Sequence, residues 1–254
     1  MSTLVLASPE LLHTPEVTGA LAKFWKIPLM DAAHRARRCW GFVGEDLPQG
    51  QTDGLCAALA EAGVASLRLS ELRSLPEARP VAGMSFGPDA ISLRPEEVLP
   101  FARIAIVSAA AIEVTEVRKT TVKEGPTAAQ KAVRAGIMLT TGLPIGLGKS
   151  KEVVKEQKST DLLFFMDIVA RDPWARWRVD AQRFDYSCLG QEKALGGMVN
   201  FRLLLSRLAK SAPVAVRNKG CRVLLGGQPV SSMGYESIED LDKELRWLVN
   251  LARG

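Results

Sequence analysis

Along the chain, apolar positions recur first at helical spacing, then at strand spacing, and finally at helical spacing again. Thr3 to Ala7 is a short apolar run that reads as a strand. Thr14-Pro15 puts a hydroxyl at a helix N-cap and proline at the first helical position, and Val17, Leu21 and Phe24-Trp25 then fall on one face. Pro28 restarts a second helix with Leu29, Ala32, Ala33, Ala36 and Trp40 at helical spacing, and Gly41-Phe42-Val43-Gly44 breaks it. Thr52 or Asp53 caps a third helix whose apolar face is Leu55, Ala58, Leu59 and Ala62, and Gly63 stops it. Val64 to Leu69 reads as a strand, and residues 72–82, with two prolines and little periodicity, read as a linker.

Beyond the linker the pattern turns β-like, at Gly83 to Phe86, Ala90 to Leu93, Arg103 to Ser108 and Ile112 to Val117. Gly125-Pro126 stops this run ahead of a short helix from Thr127 to Val133. Leu162 to Val169 is the longest apolar strand candidate, and Ala175 to Ala181 alternates with Trp177 and Val179 on one face. Gly196-Gly197 opens a helix carrying Phe201, Leu204, Leu205 and Leu208. The last helix begins near Ser237, where Ser237 and Asp240 resemble a capping box with Asp in place of Glu. Its buried stripe is Ile238, Leu241, Leu245 and Leu248; Glu239, Asp240 and Asp242 point away from the stripe and Glu244 flanks it, so these acids read as a solvated face. The expected fold class is α+β, with a small α/β module at 1–75 and a β-rich domain at 83–254 that carries an insertion at 118–158 and C-terminal helices.

Two family resemblances attach to these patterns. The run Ala57-Ala58-Leu59-Ala60-Glu61-Ala62-Gly63-Val64-Ala65-Ser66-Leu67, with Ile27-Pro28-Leu29-Met30-Asp31-Ala32-Ala33 before it, resembles the C-terminal domain of the bacterial ribosomal stalk protein. The same helix–helix–strand arrangement occurs in the adaptor of the Clp protease. Both resemblances imply a domain over about residues 14–70 that binds other proteins and does no chemistry. The second helix here carries Arg35, Arg37, Arg38, Cys39 and Trp40 where the stalk's factor-binding surface is rich in Lys and Gly, so a protein-binding fold is implied and ribosomal function is not. Ala90-Ile91-Ser92-Leu93, then Leu99-Pro100-Phe101-Ala102-Arg103-Ile104, then Leu162-Leu163-Phe164-Phe165 and Trp174 to Val179, resemble the strand pattern of a bacterial pleckstrin-homology-like domain over about 83–210. That resemblance implies a module for binding lipids or proteins, with no phosphoinositide motif to transfer.

Of the 254 residues, 47% are apolar and 24% charged, the composition of an ordinary soluble globular chain. The longest apolar run falls well short of the roughly 20 residues that span a bilayer, and no charged segment precedes Thr3-Leu4-Val5-Leu6 to make a signal peptide, so a cytoplasmic protein is expected. Cys39, Cys56, Cys188 and Cys221 are isolated and read as reduced thiols; with only His13 and His34 beside them, neither a metal site nor a histidine-dependent triad is expected. His34 sits among Arg35, Arg37 and Arg38 and reads as part of a solvated helix face. Asp185-Tyr186-Ser187-Cys188 follows a strand and reads as a structural turn, since no base is positioned for either nucleophile. Trp174 and Trp177 lie among Arg171, Arg176 and Arg178, but three residues apart on a strand their rings take opposite faces, which argues against a stacking platform for nucleic acid. No catalytic residue and no cofactor is expected.

Charge changes the picture more. Residues 1–80 hold eight Lys/Arg against nine Asp/Glu, whereas residues 118–158 hold nine Lys/Arg against three Glu, more than the whole net charge of +5. Charge asymmetry of this kind points to an anionic partner such as nucleic acid, phosphate or an acidic surface, and an acidic or phosphorylated protein partner is among the expectations. Within it, Leu143-Pro144-Ile145-Gly146-Leu147-Gly148-Lys149-Ser150 ends like a phosphate-binding loop, between the apolar Ile137-Met138-Leu139 and a helix expected from Lys151 to Gln157. The motif needs glycine four residues before Gly-Lys-Ser; Leu143 stands there, and Gly142 is one place early. Leu162 to Asp167 would have to serve as the magnesium-binding strand, too soon after Ser150 for that architecture. The expectation is therefore a non-catalytic protein-interaction or adaptor module. Its candidate anion-binding residues are Arg118, Lys119, Lys123, Gly146, Gly148, Lys149, Ser150 and Lys151. A phosphate or nucleotide binder through 142–150 is the alternative, and a peripheral binder of anionic membrane is a further one.

Overall fold

The computed structural model describes residues 1–95, 97–124 and 151–252, except for the side chains of 115–124 and 151–160. The chain is an α+β protein that divides into two compact units, Met1–Glu113 with Leu162–Gly254, and Val114–Asp161. The second unit holds residues 114–124 of one strand and 151–161 of the next.

Its N-terminal part is a three-stranded antiparallel sheet with helices. The strands are β1 (Ser2–Leu6), β2 (Phe42–Leu47) and β3 (Ser66–Leu69), in the order β2-β1-β3. The helices are α1 (Pro15–Trp25), α2 (Leu29–Arg38) and α3 (Gln49–Glu61). Thr14 is the N-cap of α1 and Pro15 its first residue, as the pattern predicts, although the Thr14 hydroxyl makes no capping bond. Val17 and Leu21 bury one face of α1, Ala32 and Ala36 one face of α2, and Leu55 and Leu59 one face of α3. Two expectations fail here. Gly41-Phe42-Val43-Gly44 breaks α2 but then begins β2, and α3 starts at Gln49, behind Pro48, with Thr52 buried inside it. A Cβ on Gly41 would come within 2.0 Å of the Trp247 ring, and one on Gly44 within 2.4 Å of Leu47, so these glycines mark close packing rather than a loop.

The β-rich part contains β4 (Ala78–Pro80), the antiparallel sheet β5 (Gly83–Phe86), β6 (Ala90–Arg94) and β7 (Glu97–Pro100), and the long strands β8 (Ile104–Glu124) and β9 (Lys151–Ala170). With β10 (Ala175–Asp180) and the short β11 (Val216–Arg217) they make a five-stranded sheet in the order β11-β8-β9-β10-β4. Three differences from expectation follow. The two runs at 103–108 and 112–117 are one strand, the helix expected from Lys151 lies within β9, and the linker contains β4, which pairs in parallel with β10. The short helix expected from Thr127 lies outside the described residues.

Three helices complete the unit: α4 (Gly197–Ser211), α5 (Lys219–Leu225) and α6 (Ile238–Leu251). The apolar stripes of α4 and α6 are buried at the predicted positions, apart from Ile238, which is half-buried. Trp247 on α6 is fully buried and donates its indole N–H to the Leu6 carbonyl of β1 at 2.9 Å. The last helix therefore closes on the first strand. Removing a buried indole of this kind costs about 3–5 kcal/mol.

Candidate functional site

Of the acids of α6, Glu239 is exposed as expected, but Asp240, Asp242 and Glu244 are not a solvated face. Glu244 is fully buried and accepts hydrogen bonds from Asn218 Nδ2 at 3.1 Å, from the Lys219 backbone N–H at 3.0 Å and from the Tyr235 hydroxyl. Burial pushes its carboxyl up, while those donors pull it down. Asn218 is the hub of this cluster. It caps α5 through Cys221 N–H at 2.9 Å and pairs with both the N–H and the carbonyl of Ala109 on β8 at 2.9 Å each. Asp240 accepts from Trp40 Nε1 at 2.8 Å and from the N–H of Glu236, the residue before the N-cap, at 2.9 Å, and the Ser237 hydroxyl makes no capping bond, so the predicted capping box does not form. Trp40 stacks on Tyr235 with centroids 4.6 Å apart and meets His13 edge-on at 4.9 Å. Lys219 Nζ lies 2.9 Å from His13 Nδ1. Burial, then the Lys219 ammonium, hold the imidazole down to about 4, a neutral ring accepting from Lys219.

A second cluster ties α6 to β10. Arg178 bonds Asp167 twice, Nε to Oδ1 and Nη2 to Oδ2 at 2.8 Å each, and Arg176 bonds Asp167 at 2.7 Å. Both guanidinium groups also reach Asp242. Asp167 is fully buried, and its carboxylate is occupied by two arginines, which removes it as the acid of a magnesium-binding strand.

Beside α6 lies a groove of about 750 Å3, bounded by α1, α2, β2 and Lys243 of α6. Its floor is apolar: Leu21, Phe42, Val43 and Leu47 are buried, and Trp25 and Ile27 half-buried. Asp31, His34, Arg35 and Arg38 form one wall. They stand at i, i+3, i+4 and i+7 on α2, opposite its buried Ala32–Ala36 face, and helical periodicity alone explains their shared direction. Met30, four residues before His34, extends that stripe and is 82% exposed. Arg35 rests over the Trp25 ring at 4.7 Å from its centroid. Glu45 is neutralised by Lys243 at 3.1 Å and Arg246 at 2.6 Å. Arg35, Arg37 and Arg38 make no ion pair among the described residues. Their place in the last turn of α2 suits the helix dipole. The thiol of Cys39 lines the groove but is pushed up by burial and donates to the Ala36 carbonyl, so it is not a nucleophile.

The residues expected to bind an anion are not brought together by anything described. Arg118, Lys119 and Lys123 fall on β8 and Lys151 begins β9, their side chains outside the description. Gly146, Gly148, Lys149 and Ser150 lie outside the described residues altogether. Asp185, Ser187 and Cys188 do form a turn: Asp185 caps a short 3-10 helix, and its carboxyl, bonded by Arg94 and Ser187, sits at about 2. Cys188 is pushed up by burial. Among the described residues, no three of His, Cys, Asp and Glu converge on a point that could hold a metal ion. No helix of the described residues is long and apolar enough to cross a membrane.

No protein-family model, curated protein or solved structure matches this chain. Its class is therefore what the fold and the groove define: an α+β protein with an apolar cleft whose helical wall is basic.

Proposed function

We propose that this chain is a non-catalytic, cytoplasmic protein-interaction or adaptor module and that its groove receives an acidic segment of a protein partner. One observation carries the reading: an apolar floor lies directly beside Arg35 and Arg38, which have no ion pair among the described residues. Apolar area supplies affinity, and the arginines select the sign of charge. A groove of about 750 Å3 lies within the usual range of ligand clefts, about 300–1,000 Å3. The one thiol lining the groove, Cys39, is pushed up by burial and engaged with the Ala36 carbonyl, which favours binding over chemistry. A pleckstrin-homology-like plan for the β-rich part is supported by the neighbouring strands β8-β9-β10, of which β9 and β10 pair antiparallel, and a C-terminal helix bonded to β10 through Asp242. The excess of Lys and Arg over residues 118–158 makes that segment a second candidate contact for an acidic or phosphorylated partner.

The test is binding of a labelled ten-residue peptide alternating Val and Glu, followed by fluorescence anisotropy. Wild type binds it at least tenfold more tightly than the Arg35→Glu/Arg38→Glu variant, and more tightly than it binds the Val/Lys counterpart. Equal affinity for both peptides, or for both proteins, overturns the reading.

A further inference from the structure

Resting on that reading, we infer that Trp25 and Arg35 form a latch for a carboxylate of the partner segment: the carboxylate draws the Arg35 guanidinium off the Trp25 ring and accepts the indole N–H. Both residues line the groove, Trp25 from the end of α1 and Arg35 from α2. Trp25 is then the residue that separates a carboxylate from other groups an occupant carries.

An unpaired donor points to this ligand. A buried indole N–H ordinarily finds an acceptor. Three tryptophans of the chain follow that rule: Trp40 donates to Asp240 at 2.8 Å, Trp177 to Glu97 at 2.9 Å and Trp247 to the Leu6 carbonyl at 2.9 Å. Two of those acceptors are carboxylates. Trp25 breaks the pattern, since its Nε1 is buried and has no acceptor among the described residues. Of these four tryptophans it is also the one that lines the groove. A donor buried without an acceptor is unfavourable, and an acceptor brought by the occupant removes that penalty.

Arg35 supplies both the cover and the charge. Its guanidinium carbon lies 4.7 Å from the centroid of the Trp25 ring, and the residue is otherwise exposed. The groove's own carboxylates do not compete for these two groups. Glu45 is held by Lys243 and Arg246. Asp31, one turn before Arg35 on the same wall, bonds neither Arg35 nor Trp25 among the described residues. An exposed cation–π contact is weak beside a charge-assisted bond between arginine and a carboxylate. A carboxylate entering the groove therefore wins Arg35 from the ring. It accepts through two oxygens, so one can meet the guanidinium and the other the indole N–H. A neutral amide has one acceptor oxygen and no charge to move Arg35, and an ammonium group has neither. Phe24, edge-on to Trp25 with centroids 4.8 Å apart, braces the ring while Arg35 moves.

The experiment follows the Trp25 indole N–H signal by NMR in the full chain labelled with nitrogen-15, assigned by correlation to its own backbone. Saturating Val/Glu peptide should move that signal downfield, as a new hydrogen bond to a carboxylate does, whereas the neutral Val/Gln counterpart should leave it in place. Trp25→Phe keeps a ring under Arg35 and removes the donor, and should bind the Val/Glu peptide about tenfold more weakly than wild type. A Trp25 signal that stays in place, or moves equally with Val/Gln, while binding remains charge-dependent, overturns the latch and leaves the acidic-partner reading standing. Equal affinity of wild type and a folded Trp25→Phe variant does the same. Loss of charge dependence overturns both. Co-sedimentation with phosphatidylserine-containing vesicles that disappears in the Arg35→Glu/Arg38→Glu variant, with no peptide binding, assigns the surface to an anionic membrane and overturns both as well.

Discussion

Two regions around α6 treat charge in opposite ways. In one, Glu244, Asp240 and Asp242 are each engaged by donors from distant parts of the chain: Asn218, Tyr235, Trp40, Arg176 and Arg178. In the other, α2 presents Arg35 and Arg38, exposed and without an ion pair among the described residues, beside an apolar floor. A buried charge with a full set of partners holds a structure in register, and removing one partner leaves the other uncompensated. An exposed charge next to an open apolar cleft contributes almost nothing to folding. The same residue types thus mark architecture in one place and recognition in the other. Burial and partnering distinguish the two.

The largest effect that breaks this comparison is expected at Asp167. Replacing it with alanine leaves Arg176, 3% exposed, with Asp242 as its remaining acid. The expected loss is about 3–5 kcal/mol in urea unfolding. Asp242→Asn, at the 41% exposed end of the same cluster, is expected to cost about 1 kcal/mol or less. Equal losses at the two positions would show that burial does not set the difference.

His13 sharpens the comparison through pH. Its folded value of about 4 lies below the ordinary 6.5, so protonation favours the unfolded chain. The stabilisation is complete above about pH 6.5, amounts to about 3 kcal/mol at most, and is lost as pH falls from 6.5 through 4. Carboxylates titrate in the lower half of that window, so the measurement is a difference. The unfolding free energy of wild type should fall more steeply between pH 7 and pH 4.5 than that of His13→Gln. Parallel curves would remove the neutral, buried imidazole from the account.

The legible parts of this fold are those set by local periodicity. The apolar stripes of α1, α4 and α6, the stop at Gly63 and the Trp177–Val179 face of β10 follow from spacing alone. The misread parts depend on partners remote in sequence. Phe42–Leu47 reads as a break because Gly41 and Gly44 dominate it, yet Gly41 is there to let in Trp247, two hundred residues on. Part of the linker pairs as β4 with β10, about a hundred residues away. The α6 acids look solvated because nothing local answers them; their donors lie on β10, α5 and the N-terminal segment. The groove was half visible. His34, Arg35 and Arg38 stand together in the sequence, but the pattern gives no sign that β2 runs beside them. The basic segment at 118–158, which the sequence also indicates, has its side chains outside the described residues.

The smallest expected effect on stability decides whether α2 belongs with recognition. In the Arg35→Ala/Arg38→Ala variant no ion pair among the described residues is lost, and the arginines' place at the end of α2 is worth a few tenths of a kcal/mol each through the helix dipole. Arg35 also covers Trp25, which adds about 0.5–1 kcal/mol at an exposed site. The summed loss should stay near 1 kcal/mol, and most of it should appear in Arg35→Ala alone. Binding of the Val/Glu peptide should split the other way, with both arginines contributing and the double variant weakest. If Arg38→Ala destabilises the fold as much as Asp242→Asn does, α2 is held by contacts of the same kind as α6, and the contrast between the two regions disappears. If Arg38→Ala leaves unfolding unchanged and weakens the peptide, its charge serves a partner rather than the fold.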